Sequence, residues 1–126
     1  MATGDFKNGT GLTGAILAQG QLGTSAAAIL PAVAASTYVK IAKVILANES
    51  GSAVTVTYGA NKSGSTAGAA GTLAGKGWSL GAAGSSTATM DVTEFNGMVL
   101  GPGDFLSGLA SAATSVTYTI SGAVSA

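Results

Sequence analysis

Short runs in which apolar and polar residues alternate recur along this chain, separated by clusters of Gly, Ser, Thr and Asn. Residues 53–58 (AVTVTY) are the cleanest: Val54, Val56 and Tyr58 fall on one side, Thr55 and Thr57 on the other. A period of two marks a strand with one buried face. Residues 115–124 repeat it, with Val116, Tyr118 and Ile120 set against Thr117, Thr119 and Ser121. The strongest strand signal is 37–48, and weaker alternation or β-rich composition marks strands at 13–22, 26–30, 78–80, 86–92 and 105–110. No segment has a convincing helical period. Residues 26–35 are apolar enough, but Pro31 in their middle would cost a helix about 3 kcal/mol. Pro31 also lacks the N–H a ladder needs, so the strand before it ends there or lies on an edge. About eight short strands with Gly- and Ser-rich turns predict an all-β fold, an antiparallel β-sandwich or jelly roll. Residues 1–12, mixed in polarity and rich in breakers, read as an N-terminal arm, and 13–126 as one sandwich domain.

Three local features sharpen this picture. In 37–48 (TYVKIAKVILAN), Val39 and Ile41 share one parity, Val44 and Leu46 the other, and Lys40 and Lys43 disagree in the same way. One extra residue near Ala42, a β-bulge, would put all four apolar residues on one face and both lysines on the opposite one. The alternative is a strand buried on both faces whose lysines reach out to water. Residues 48–52 (NESGS) are dense in turn formers, so 37–48 and 53–58 are expected to pair as a hairpin. Residues 101–104 (GPGD) carry Pro second and Gly third, the signature of a type II turn. By contrast, 59–77 is Gly-rich and almost devoid of large side chains, which predicts a long loop with one short strand around Leu73.

Composition bears on function mainly through what is missing. The 126 residues include no His, Cys or Arg. The usual general base, the strongest ordinary nucleophile and the bidentate phosphate clamp are therefore all lacking. Five Lys balance five acids, and only 8% of residues are charged, against about 25% in a typical soluble chain. Soluble proteins commonly use surface charge to resist association. So sparse a charge suggests a surface covered by partners, or one coated with Ser, Thr, Gly and Ala. Scattered lysines form no basic stripe, so no nucleic-acid partner is expected. No run reaches the 18 or so apolar residues of a membrane helix, and the N-terminus lacks the apolar core of a signal peptide, so neither membrane nor export is expected.

Candidate chemistry is thin. Glu94 and Asp104 flank a hairpin-like stretch and could be brought together as a carboxylate pair, as glycoside hydrolysis requires. The competing role for Asp104 is to bond the backbone of its own turn. The acids show no calcium-loop spacing. Lys43 is the only partial candidate for activating a serine, and no Ser lies in G-x-S-x-G. No catalytic, metal or cofactor residue is assigned, and the chain is not expected to be an enzyme. Trp78, in Gly-Lys-Gly-Trp-Ser, fits a core position at one end of the sandwich, an exposed partner contact or a sugar platform. Phe6, the apolar anchor of the arm, its neighbour Lys7, and Trp78 are the candidate assembly contacts.

The run LAQGQL at 17–22, ILPA at 29–32, IAKVILAN at 41–48, LGPGD at 100–104 and VTYTISG at 116–122 together resemble small virion proteins of tailed bacteriophages. The resemblance is one of strand texture and turn position. It implies a sandwich that decorates or cements a capsid, or forms a minor tail part. Its partners would be copies of itself, often as a trimer, and major capsid or tail proteins. Its place would be the virion, after synthesis in the host cytoplasm. The arm and the Gly-rich stretch at 64–77 fall outside the resemblance.

Overall fold

The computed structural model describes residues 12–125. Nine strands follow one another: β1 (Leu12–Gln21), β2 (Ala27–Leu30), β3 (Tyr38–Asn48), β4 (Val54–Asn61), β5 (Leu73–Leu80), β6 (Thr89–Asp91), β7 (Val99–Leu100), β8 (Phe105–Ala110) and β9 (Val116–Ser125). One 3-10 turn, Thr93–Phe95, lies between β6 and β7. All ladders are antiparallel. One sheet runs β1-β9-β3-β6, with β7 also on β3, and the other runs β2-β8-β4-β5. The chain is an all-β, two-sheet antiparallel sandwich. Leu12 and Ser125 are register partners, so the first and last described strands begin and end side by side.

The bulge in β3 is present. Ile41 pairs with Gly122 and Lys43 with Ser121, so Ala42 is the extra residue. Val39, Ile41, Val44 and Leu46 all turn into the core, while Lys40 and Lys43 are exposed. A second bulge, not anticipated, lies on the other side of β9, where the register of β1 skips Leu17 between Ile16 and Ala18. The two bulges bracket residues 120–122 of β9, where the sheet must bend. From the other layer, Val56, Tyr58, Leu106 and Ala110 complete the core, and Phe95 enters it from the 3-10 turn.

The type II turn also forms. The Asp104 N–H donates to the Gly101 carbonyl over 3.0 Å, and Gly103 has φ +84°. That conformation is open to glycine without steric cost.

Two expectations are corrected. β3 and β4 are not a hairpin: β3 belongs to one sheet and β4 to the other, so 48–52 carries the chain across the sandwich. Turn-forming residues specify a reversal, not the layer to which the chain returns. Nor is 59–77 one loop. β4 continues through Asn61, and β5 is a single strand from Leu73 to Leu80. Its glycines serve packing. A Cβ on Gly59 would strike the Thr72 carbonyl, and one on Gly75 would strike the Tyr58 ring.

Candidate interaction surface

The two acids considered for chemistry, Asp104 and Glu94, are bonded within the fold. Asp104 accepts 3.0 Å hydrogen bonds from the Gly101 N–H and, through its other oxygen, from the Ser63 N–H. It thus ties its own turn to the loop after β4, the backbone role open to it from sequence. Glu94 is engaged elsewhere: the Tyr58 hydroxyl donates to it over 2.5 Å. Glu94 and Asp104 are thus each engaged by different groups, a tyrosine hydroxyl in one case and backbone N–H groups in the other. Tyr58 is buried and meets Phe95 edge-on, with ring centroids 5.5 Å apart. Burial chiefly, then the bond to Glu94 and its charge, push the Tyr58 hydroxyl far above the usual tyrosine range. Asp91 pairs with Lys43 at 3.7 Å on an exposed face, where such pairs contribute little. Among the described residues no three His, Cys, Asp or Glu side chains cluster as metal ligands.

Two buried asparagines organise the loops. Asn48, at the end of β3, donates from Nδ2 to the carbonyls of Ser52 and Gly81, both at 2.8 Å. Its Oδ1 accepts from the N–H and hydroxyl of Ser50. Asn61, at the end of β4, donates to the Ser65 hydroxyl and the Thr66 carbonyl and accepts from the Ser107 hydroxyl. No buried side-chain polar atom lacks a partner among the described residues, as a stable interior requires.

Among the described residues four large apolar side chains are exposed: Ile16, Tyr38, Trp78 and Val99. Ile16, Tyr38 and Val99 share the outer face of the first sheet, because Ile16 and Lys43 both pair with Ser121, and Val99 pairs with Lys40, two residues from Tyr38. Trp78 lies on β5 opposite the core residue Val56, yet it is 53% exposed. This overturns the core position open to it from sequence. β5 is the outermost strand of its sheet, and the opposite sheet ends in the three-residue β6, which leaves the indole half in water. The other candidate contacts, Phe6 and Lys7, lie outside the described residues.

Sequence reading missed Ile16, Tyr38 and Val99. For Ile16 the useful signal would have been the bulge at Leu17, since without it the parity of β1 is ambiguous. The charges are unevenly placed as well. Within the strands they occur only on β3, β5 and β6. β1, β2, β8 and β9 carry none.

No protein-family model, curated protein or solved structure matches this chain.

Proposed function

We propose that the chain is a bacteriophage virion structural protein that decorates or cements the capsid surface through oligomeric assembly. The observation that carries this reading is a sandwich with few charges that leaves Ile16, Tyr38, Trp78 and Val99 in solvent. The strand and turn texture described above supports the same reading. Its mechanism is binding by shape, apolar contact and backbone pairing. Its partners are copies of itself, as in closed symmetric oligomers, and the major capsid or tail protein. Its location is the virion.

The test is copy number. Particles from a lysate containing this chain are banded by density and its amount is measured against the major capsid protein. Hundreds of copies per particle support capsid decoration, a handful place it in the tail, and absence from the band overturns the reading. Removal of residues 1–11 is expected to leave a folded domain that no longer incorporates.

The exposed Trp78 favours one second reading, a carbohydrate-binding or adhesin module in which the indole stacks on a sugar. Binding on a glycan array that disappears in Trp78→Ala would establish it.

A further inference from the structure

The two lateral flanks of the sandwich are built differently. On one flank lie β5 and β6. Lys76 lies on β5, and Asp91 on β6 is paired to Lys43. These are the charged side chains with which proteins commonly discourage edge-to-edge pairing. The opposite flank is made by the outer edges of β1 and β2, which contact each other. It has no charged guard, and its interruptions are the bulge at Leu17 and Pro31 after the four-residue β2. The sequence contains no charged residue between Lys7 and Lys40, and the strands behind the flank, β9 and β8, are also uncharged. β1 is ten residues long, contains no proline and has no strand on its outer side among the described residues. Ile16, the most exposed of the four large apolar residues, stands near its middle at 62%.

We infer that the β1 edge is a docking edge for a second copy of this chain, joined antiparallel about a two-fold axis so that the sheet continues from one molecule into the next. The inference deepens the assembly reading above by naming the surface, and it rests on that reading. Three observations select a second copy as occupant. First, the described part of the edge carries no charge, so two copies bring no like charges together there. Second, antiparallel pairing of a strand with itself is self-complementary, as a two-fold interface requires. An axis near Leu17 sets the run before the bulge in one copy beside the run after it in the other. Leu17 itself packs toward the core and does not obstruct the contact. Third, the size suits a weak, reversible dimer. The ten-residue β1 is about 33 Å long and the four-residue β2 about 13 Å, each in a layer about 10 Å thick. That gives roughly 460 Å² per molecule, at the small end of specific interfaces, where association is a concentration-dependent equilibrium.

Sedimentation of the purified full-length chain over a range of concentrations tests this, together with amide hydrogen exchange. The expected result is a monomer–dimer equilibrium, with β1 amides slowing as dimer forms. Ile16→Lys sets two lysines near the axis and is expected to weaken the dimer by about tenfold or more. Ala28→Lys, on the exposed part of β2, weakens it in the same direction. Ala74→Lys, on the guarded β5 edge, leaves it unchanged. All three positions are exposed, so folding is retained and is checked by circular dichroism. A strictly monomeric chain, a dimer indifferent to Ile16→Lys and Ala28→Lys, or protection confined to another edge overturns the inference. Slow exchange of β1 only when capsid protein is added, with the isolated chain monomeric, also overturns it, because the occupant is then a different protein. Failure here is separable from failure of the virion reading, since the copy number in particles is measured independently of self-association in solution.

Discussion

The ring of Tyr58 lies over Gly75, its cross-strand partner, in the space a side chain there would fill. The same device recurs: Tyr118 covers Gly20, its partner across β9 and β1, and Tyr38 lies against Gly101. Each of the chain's three tyrosines therefore covers a glycine. In the first two pairs the glycine is on an outermost strand, where a large ring supplies the contact that glycine lacks. Gly75→Ala is expected to displace the Tyr58 ring and cost about 1–3 kcal/mol, as overpacked cores do. Tyr58→Phe keeps the ring, loses only the bond to Glu94 and should cost about 1 kcal/mol. Urea unfolding of the two variants measures both, and a Gly75→Ala variant as stable as wild type would refute the steric account.

Tyr58 also sets an alkaline limit. Its hydroxyl is held neutral in the fold at pH values where a free tyrosine, near 10, ionises. A group whose pKa is raised by folding contributes stability in full below its unfolded value and loses it as pH climbs through the folded one. Stability is therefore expected to fall from about pH 10 upward, more steeply in wild type than in Tyr58→Phe. Denaturant midpoints between pH 8 and 11 for both proteins check the sign, and identical slopes would count against it.

Gly122 faces the backbone of β3 at the bulge, and the Lys40 carbonyl occupies the site of its missing Cβ. A carbonyl in a ladder cannot swing aside as a side chain can. Gly122→Ala should lower stability by about 1–3 kcal/mol through strain. Gly51→Ala, with nothing near its Cβ site, should be neutral or stabilising by a few tenths to about 1 kcal/mol. Thermal unfolding of the pair makes the comparison.

Asn48→Ala removes the amide that satisfies two carbonyls and receives two donors. Leaving buried groups unpaired costs about 1–3 kcal/mol. Asn48→Asp should be worse at neutral pH, because an ionised oxygen replaces the donor facing Ser52 and Gly81. Acidification should partly restore it, since the protonated acid can donate again. Stability of the Asp variant at pH 4 and 7 decides the matter.

Trp78→Ala should cost about 1–2 kcal/mol, the worth of the half of the indole that is out of water, and leave the domain folded. Under the proposed function it should nevertheless reduce incorporation into particles. Equal incorporation of variant and wild type would remove Trp78 from the contact set.

The bulge at Ala42 and the turn at 101–104 were legible because each leaves a mark in adjacent residues: a break in parity in one case, Pro followed by Gly in the other. The destination of the chain after Asn48 was not, since Glu49, Ser50, Gly51 and Ser52 serve a hairpin and a crossing between layers equally well. The stretch from Gly59 to Gly77 misled for a different reason. Glycine there reads as freedom, whereas Gly59 and Gly75 give up their side chains to the Thr72 carbonyl and the Tyr58 ring. Trp78 was legible as a candidate contact but not as exposed, because its exposure depends on how far the opposite sheet extends. The neutral flank was half visible. The charge-free stretch before Lys40 is plain in the sequence, but only the strand order shows that β8 and β9 stand behind it.

Leu12 and Ser125 are rungs of the same ladder, so the described strands start and finish at one end of the β1–β9 seam. Tension applied through both ends would open the β1–β9 seam like a zipper, one rung at a time, rather than shearing all its bonds together. For engineering, the opposite end of the sandwich is the better place to build a handle meant to bear load.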